Sequence, residues 1–367
     1  MGTVKTLRSA AVAAGILALS LAASGCGCGG PEVETVSPPV EKEHSPEPEL
    51  PSAVWPLTGI AVDEVSETAA LAIKVENSPA ARPQVGLEYA DIVWETVVEG
   101  GISRFIAVYH SQLPETVEPV RSARPMDLDV VAALEGILVY SGAQGQFIRM
   151  FNDAGIQSII MDSGHAGFSR DPLRRAPHNV IGVPQTFLDQ ANDSRAAPPP
   201  AQNAFAAEPG AGSAMTGGTP ADTITANLSS VQTTTWTWDA ETESFLRANG
   251  TVPSVNAEGE QHAATNVVLI AVDVVSTQWR DAGGAAVPET IMTGTGNAIV
   301  AAGGKYVEAT WSREDRSSIM HLQDADGNEI ELEQGDTWIL TVPNGTGNWV
   351  LPTPADTTAA DEPSPTD

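Results

Sequence analysis

The sequence predicts an α+β (or α/β) N-terminal domain followed by a mostly β C-terminal domain. In residues 55–195, apolar runs of strand length alternate with segments of helical pattern, which is typical of mixed layer folds. In residues 229–350, the apolar runs are almost all of strand length, and glycine-containing turns separate several of them. The Ala/Gly/Pro-rich residues 196–228 lie between these patterns and predict an interdomain linker.

The elements of the N-terminal domain follow from local patterns. Residues 91–99 and 102–110 predict a β-hairpin, because both runs alternate and Gly100-Gly101 separates them. Pro125 marks the start of a first helix. The other expected strands are 71–75, 137–140, 158–161 and 180–183, and the expected helices are 126–135, 146–153 and 184–191.

A two-residue Gly100-Gly101 turn fixes the predicted register of this hairpin. One face then carries three carboxylates, an arginine and a histidine, a pattern typical of a salt-bridge ladder on a solvated sheet face. A catalytic carboxylate set is the alternative. The predicted pairs are Glu99 with Ile102, Val97 with Arg104, Glu95 with Ile106, and Asp91 with His110.

The C-terminal domain is predicted from apolar runs and tight turns. Gly303-Gly304 and Asp326-Gly327 each separate two such runs, as hairpin turns do. The acidic side chains around Asp326 also suggest calcium, but the glycine follows too early for an EF-hand loop, so a hairpin turn is favoured. The expected strands are residues 231–238, 267–275, 298–302, 306–311, 319–323, 329–332 and 338–342.

The N-terminus predicts export and a lipid anchor. Lys5 and Arg8 precede the uncharged apolar residues 10–23, and small residues then lead to Cys26. We therefore interpret residues 1–25 as a lipoprotein signal peptide and Cys26 as the lipidated residue, with plain secretion as the alternative. Cys28 follows a less suitable triplet. The predicted location is the outer face of the cytoplasmic membrane.

Two further segments are predicted to lack a core. The Pro/Glu-rich residues 26–54 predict an extended tether, and residues 351–367, rich in Pro, Thr and Asp, predict a disordered tail. The formal net charge of −29 argues against nucleic acid as a partner. The predicted contact with the membrane is therefore the anchor at Cys26.

An arginine cluster stands out in this acidic chain. Residues 82–175 contain eight arginines and no lysine. Arginine presents a fixed fork of donors that fits carboxylate or phosphate, so the cluster predicts a bound anion. The arginines are Arg82, Arg104, Arg121, Arg124, Arg149, Arg170, Arg174 and Arg175.

Arg121, Ser122 and Arg124 lie just ahead of the predicted helix at residues 126–135. A helix N-terminus attracts anions, and two guanidinium groups beside it would clamp a carboxylate or phosphate. Pairing of these arginines with the domain's own acidic residues is the alternative.

A polar loop at residues 162–179 supplies the candidate catalytic groups. His178 could act as a general base oriented by Asp162 or Asp171, with Ser122 or Ser141 as nucleophile. No hydrolase elbow and no zinc motif occurs, so the sequence predicts neither a metal site nor a cofactor. The turn at residues 141–145 lacks the spacing of a phosphate-binding loop.

Several sequence motifs resemble those of the YerB-like lipoproteins, the domain of unknown function 3048 family. Those in the N-terminal half are Pro56-Leu57-Thr58-Gly59, Ala81-Arg82-Pro83-Gln84, Ala90-Asp91-Ile92-Val93, Glu99-Gly100-Gly101-Ile102-Ser103-Arg104-Phe105, Pro119-Val120-Arg121-Ser122-Ala123-Arg124-Pro125 and Ala176-Pro177-His178-Asn179. Those in the C-terminal half are Trp311-Ser312-Arg313, Asp326-Gly327 and Gly335-Asp336-Thr337-Trp338. The resemblance implies a two-domain bacterial envelope lipoprotein without an established reaction.

The resemblance also implies that one site holds Glu99, Arg104, Arg121, Ser122, Arg124 and His178, since the motifs shared with the family contain these residues. Our first hypothesis is a lipid-anchored protein that binds a cell-wall carboxylate or phosphate there, with Arg82 and Asn179 as further ligand-binding residues. The second is an envelope enzyme that uses His178 and an acidic partner. The third is a structural module that contacts an envelope protein. The first hypothesis requires Arg121, Arg124 and His178 to converge on one cleft.

Overall fold

The structure is a computed structural model, and it describes residues 53–281 and 283–352. The predicted signal peptide, the anchor residue Cys26, residues 26–52 of the predicted tether and residues 353–367 of the predicted tail lie outside the described residues. Within the described part, no helix is both long and apolar enough to span a membrane.

The N-terminal half contains nine strands and three helices within the described residues. The strands are β1 (Ala53–Val54), β2 (Ala61–Val62), β3 (Leu71–Glu76), β4 (Ile92–Val97), β5 (Ser103–Tyr109), β6 (Ile137–Tyr140), β7 (Gln157–Ile160), β8 (Phe168–Arg170) and β9 (Val180–Gly182). The helices are α1 (Asp127–Leu134), α2 (Gly145–Asp153) and α3 (Pro184–Leu188).

The C-terminal half is almost entirely strand. It contains one short helix, α4 (Ser213–Gly217). Its strands are β10 (Thr219–Pro220), β11 (Thr223–Asn227), β12 (Thr233–Asp239), β13 (Ser244–Asn249), β14 (Val252–Pro253), β15 (Ala263–Ala264), β16 (Asn266–Arg280), β17 (Ala286–Ile291), β18 (Gly294–Ala302), β19 (Lys305–Arg313), β20 (His321–Gln323), β21 (Thr337–Pro343) and β22 (Asn348–Val350).

One large sheet runs through both halves of the chain. Its main order is β10-β19-β18-β16-β21-β4-β5-β3-β6-β7, with β17 beside β16 and β20 beside β19. The halves meet where β21 pairs in parallel with β16 on one side and with β4 on the other. A smaller sheet, in the order β14-β13-β12-β11-β22 with β15 beside β13, belongs to the C-terminal half.

The large sheet is buried on both faces. Helices α1 and α2 cover one face, where Val131 and Phe151 join Ile106 and Ile339 in a common core. The smaller sheet packs on part of the other face, where Trp236 and Phe245 join residues that include Phe105 and Trp338. The strands β3, β4, β5 and β21 are consequently buried along their whole length.

The predicted fold class is confirmed, since the N-terminal half is mixed and the C-terminal half is mostly β. The Gly303-Gly304 turn between β18 and β19 is present with both glycines at positive φ. The Asp326-Gly327 turn is also a turn, in which Asp324 accepts backbone hydrogen bonds from Asp326 and Asn328. Residues 329–332 form only isolated bridges instead of the expected strand.

The predicted register of the β4–β5 hairpin is wrong by one residue. The loop has three residues, Glu99–Gly101, so that Val97 pairs with Ser103 and Glu95 with Phe105. Gly100 and Gly101 both have a φ of 74°, which fits glycine at these loop positions. Because side chains alternate, a slip of one residue moves Arg104 to the face opposite Glu95.

The expectation of a solvated ladder on this hairpin is also wrong. Glu95 and Arg104 are both buried, at 0% and 6% exposure, on different faces of the large sheet. Asp91 and His110 are buried as well, and the carboxylate of Asp91 accepts a hydrogen bond from the His110 backbone. The charged hairpin residues therefore belong to three separate interior groups, around Glu95, around Arg104 and around Asp91.

The Ala/Gly/Pro-rich stretch predicted as a linker carries regular structure: α4, β10 and β11 lie within it. Its small residues allow close backbone approach, since a Cβ on Gly218 would lie 2.2 Å from the Ala214 oxygen. Instead of forming a free linker, this Ala/Gly/Pro-rich segment packs against β19, with which β10 pairs. The domain limits at residues 195 and 229 stay a prediction.

A buried ion pair joins the two halves on the smaller-sheet side. The Nη2 of Arg247 in β13 donates to both carboxylate oxygens of Glu95, at 3.1 and 2.9 Å, and neither side chain is exposed. The guanidinium carbon lies 5.0 Å from the Phe105 ring centroid and 5.3 Å from that of Trp338. Glu95 also accepts from the side chains of Asn77, Ser103, Gln232 and Thr234.

A second ionic cluster joins the halves on the helical side. Arg313 donates to the backbone oxygen of Asp129 in α1, and Arg316 lies 3.5 Å from its carboxylate. Arg316 also bonds Glu289 at 2.5 Å. Burial raises the pKa of Asp129 to about 6, although Arg316 and Arg313 oppose the shift. The adjoining cavity of about 10 Å³ has room for about one water.

We expect Arg247→Met to lower the free energy of unfolding by about 3–5 kcal/mol, because it leaves the Glu95 charge buried and unpaired. The double variant Glu95→Gln/Arg247→Met should recover most of that loss, since no unpaired charge remains and an amide oxygen can still accept from the neighbouring side chains. Chemical denaturation measures both values. Arg280→Ala, an exposed arginine, is the matched control and should change stability by no more than about 0.5 kcal/mol. Equal losses in the single and double variants would contradict the pairing.

Asp129 should make stability depend on pH in a defined direction. Its pKa is raised from 3.8 to about 6 in the folded state, so its contribution to stability is complete below about pH 4 and is lost as the pH rises through about 6. The free energy of unfolding of the wild type, relative to Asp129→Asn, should fall by roughly 3 kcal/mol between pH 3 and 7. Urea titrations at several pH values measure this difference. A difference that does not change with pH would refute the assignment.

Candidate functional site

The candidate site is built around the segment of residues 119–124, which lies between β5 and α1. Backbone hydrogen bonds hold this segment in place, and three of its residues donate them. Arg121 donates to the Lys74 oxygen at 2.8 Å, Ala123 to the Gly142 oxygen at 3.0 Å, and Val120 to the Val180 oxygen at 2.8 Å. The segment is thereby fixed between the end of β3, the turn after β6, and β9.

Glu76, the last residue of β3, is the centre of the site. Its side chain is 2% exposed. It accepts hydrogen bonds from Ser78 Oγ and from His178 Nδ1, each at 2.9 Å. The Nε of Arg121 lies 3.2 Å from its Oε2. Arg121 and His178 are therefore brought together by one buried carboxylate.

Arg104 lies opposite Glu76 in the β3–β5 pairing and on the same face. Its Nη1 donates to the backbone oxygen of Ser122 at 2.8 Å, while its buried Nε has no hydrogen-bond partner among the described residues. Burial and the neighbouring Arg124 and Arg121 lower the pKa of Arg104 to about 9. The lowered pKa of Arg104 thus results from its burial and from the two positive charges beside it.

Arg124 is held by acidic partners at the start of α1. Its Nε donates to Glu99 at 2.6 Å, and its backbone nitrogen donates to Asp127 at 2.8 Å. Asp127 also pairs with Lys74 at 2.7 Å, and both of these side chains are completely buried. Burial lowers the pKa of Lys74, while Asp127 opposes the shift. Arg124 is thus paired with acidic residues of the protein itself, which was the alternative to an anion clamp.

The cluster has more cationic than anionic side chains. Lys74, Arg104, Arg121 and Arg124 stand against Glu76, Glu99 and Asp127, and His178 adds charge only when protonated. This local excess lies in a chain of net charge −29. Arg121 and His178 are the most exposed side chains of these ion pairs, at 21% and 25% exposure. An anion that enters the site would meet these two first.

Three of the other predicted arginines, Arg82, Arg170 and Arg174, are paired within the protein, whereas Arg149 and Arg175 have no side-chain hydrogen bond or ion pair among the described residues. Arg82 donates to Asn77, and Arg170 donates to Asn179 at 2.8 Å. Arg174 donates to the backbone oxygens of Ala81 and Pro83 and lies 3.4 Å from Glu118. Asn179 bonds backbone oxygens of its own loop. Arg82 and Asn179 are thus connected to the loops around the site, and each already has internal partners.

The acidic partner of His178 is Glu76, which the sequence reasoning missed. Among the described residues, no hydrogen bond or ion pair joins His178 to Asp162, Asp171 or Ser122. Asp171 accepts from the Leu173 backbone and pairs with Arg174. The Asp162 carboxylate instead lies against Gly142, where an added Cβ would be 2.1 Å from Oδ2.

Lys74, Glu76 and Asp127 were also missed, although a signal exists. Lys74 and Glu76 are two residues apart in an otherwise apolar strand, so they share a face. A charged residue in a buried strand requires a partner, and this pattern could have directed attention to β3. In the described part of the chain, no group of three or more potential metal-binding side chains occurs.

Two family models match the chain. Residues 57–197 match the N-terminal domain of DUF3048, a protein of unknown function, and residues 224–339 match the DUF3048 C-terminal domain. The resemblance to the domain of unknown function 3048 family, which the sequence motifs indicated, is thereby confirmed.

The chain is also similar to a curated protein and to a solved structure. "Putative lipoprotein YerB" of Bacillus subtilis (strain 168) is 40% identical over 126 residues, which cover 34% of this chain and only 38% of that relative. The crystal structure of the YerB protein from Bacillus subtilis has a TM-score of 0.69 at 24% identity, and the match covers 81% of this chain and 99% of that one. This likeness shows that the fold is shared.

Proposed function

The chain belongs to the DUF3048 family, and on that premise we propose that it is a lipid-anchored envelope protein that binds an anionic ligand beside Arg121. The proposed binding groups are Arg121, Arg104 and His178, and Ser122, Glu99 and Arg124 lie beside them, with Arg124 already paired to Glu99. The observation that carries the proposal is the state of Arg121. This guanidinium is 21% exposed, and its Nε lies 3.2 Å from Glu76 but makes no hydrogen bond among the described residues.

Three features favour an anion at this position. The cluster carries excess positive charge, and Arg104 is close enough to Arg121 and Arg124 for their charges to lower its pKa. The buried Glu76 orients Arg121 and His178 toward each other. The planar fork of Arg121 matches the paired oxygens of a carboxylate or phosphate, and such charge-assisted bonds are stronger than neutral ones. A cell-wall carboxylate or phosphate fits these requirements.

An enzymatic role is the second candidate, and the His178–Glu76 pair favours it. A carboxylate that accepts from Nδ1 fixes the tautomer of a histidine and leaves Nε2 available as a base. In this version Glu76 takes the role that the sequence assigned to Asp162 or Asp171. Product formation from a phosphoester or wall fragment, lost in His178→Ala, would support it.

The anchor completes the proposal. Cys26, outside the described residues, would carry the lipid, and the tether would hold the folded body at the outer face of the cytoplasmic membrane. A relative described as a putative lipoprotein supports this assignment, as does the pattern of residues 1–25.

The anion site predicts ligand-dependent stabilisation. We expect phosphate or a dicarboxylate, at about 100 times its Kd, to stabilise the full-length chain in detergent by about 2.7 kcal/mol, measured as a rise in Tm. Sodium chloride at the same ionic strength controls for salt. Arg121→Ala should abolish the rise, and Arg121→Lys should weaken it because the fork is lost.

The matched control is Arg195→Ala, which removes an arginine that donates to the Glu135 and Gly155 backbone oxygens. It should leave the anion response unchanged. A response of equal size in Arg121→Ala, or no response to any anion, would overturn the proposal. The latter result would favour internal pairing of the arginines and a protein partner.

The anchor assignment predicts that Cys26→Ser releases the protein from the membrane. Lipid attachment requires the thiol, so the variant should lose incorporation of a labelled fatty acid and appear in the soluble fraction. Cys28→Ser is the matched control and should stay membrane-bound. Labelling that persists in Cys26→Ser and disappears in Cys28→Ser would assign the lipid to the other cysteine.

A further inference from the structure

A second cavity lies away from the Glu76 cluster, at the end of β5. It has a volume of about 350 Å³, within the range of roughly 300–1,000 Å³ that is usual for small-molecule sites. Its walls come from residues 55–69 of the N-terminal segment, from residues 109–113 and from α3. No feature of the proposed anion site extends into it.

The side chains that line this cavity carry no acid, lysine or arginine. They provide one indole, several hydroxyl and amide groups and a histidine. The hydrogen-bonding side chains include Ser66, Thr68, Ser111, Gln112 and Gln185. Gln185 uses its nitrogen on Asp189 and keeps its oxygen available, while Gln112 has no hydrogen-bond partner among the described residues. The cavity therefore offers neutral donors and acceptors.

His110 and Asp91 form the rigid wall of the cavity. His110 is 5% exposed, and its Nε2 lies 3.2 Å from the Ser66 oxygen. Asp91 accepts from the backbone nitrogens of His110 and Ser111, at 2.6 and 2.9 Å, and from the Ser111 hydroxyl. The carboxylate is thus satisfied behind the wall. Burial lowers the pKa of His110, so the ring is neutral near pH 7.

Trp55 provides the aromatic surface. Its ring meets the His110 ring edge to face, with centroids 5.2 Å apart and an angle of 85° between the planes. The indole is only partly buried and lines the cavity. An aromatic ring beside planar amides and hydroxyls can bind a molecule that has both C–H faces and hydroxyl groups.

We propose that this cavity binds an uncharged sugar residue of a glycan. The C–H face of the sugar would pack on Trp55, and its hydroxyls would bond Gln112, Gln185 and the serine and threonine groups. An anion is disfavoured because no cationic side chain lines the cavity. A lipid chain is disfavoured because it would leave the Gln112 amide and the Gln185 oxygen without hydrogen-bond partners. The inference does not rest on the anion site.

The test uses the full-length chain in detergent with glucose, galactose and N-acetylglucosamine, each as monosaccharide and as short oligomer, and with glucuronate as the charged comparison. Saturation-transfer NMR detects binding, and calorimetry gives the Kd. We expect at least one of these sugars to bind and Trp55→Ala to weaken it at least tenfold. Gln112→Ala changes an exposed side chain and keeps the fold, so it should weaken binding even if Trp55→Ala is unstable.

The matched control is Trp279→Ala, which removes a partly exposed tryptophan of β16. This variant and Arg121→Ala should bind the sugar as the wild type does. Absence of binding for every sugar would overturn the proposal. Preference for glucuronate over glucose would overturn the neutral class, and equal affinities of the wild type and Gln112→Ala would place the sugar elsewhere.

Discussion

The parallel strand β21 is the constraint on which the rest of the structure depends. It comes from the C-terminal half and lies in the middle of the large sheet, bonded to β16 on one side and to β4 on the other. Without β21, the apolar strand β4 would be an unpaired edge, which is a liability in water. The Glu95–Arg247 pair and the Asp129 cluster then tie the halves together on the two faces. Two family domains in sequence thus make one sheet in space.

The candidate site follows from the same sheet. The pairing of β3 with β5 sets Glu76 opposite Arg104, and the 119–124 segment adds Arg121 beside them. The three-residue loop at Glu99–Gly101 decides which face each hairpin side chain occupies. Arg104 therefore faces the cluster around Glu76, while Glu95 faces Arg247. One loop residue thus decides which of two buried clusters each charged side chain joins.

Local signals in the sequence were sufficient for much of this fold. The strand at Ile137–Tyr140, the helix after Pro125 and the Gly303-Gly304 turn follow from apolar runs, proline and glycine, which act within a few residues. The hairpin register was not predictable from the Gly-Gly pair, since two- and three-residue turns both use glycine. The contacts of Glu95 with Arg247 and of Glu76 with His178 span 152 and 102 residues, and no local pattern encodes such distances.

The most direct test of the shared sheet is the folding of one half alone. The measurement is the amide NMR spectrum of residues 53–200, produced without the C-terminal half. The shared sheet predicts poorly dispersed signals, because β4 lacks β21 and Glu95 lacks Arg247, and it predicts dispersion once residues 201–352 are added. A well-dispersed spectrum of the isolated half would contradict the claim that both halves depend on one sheet.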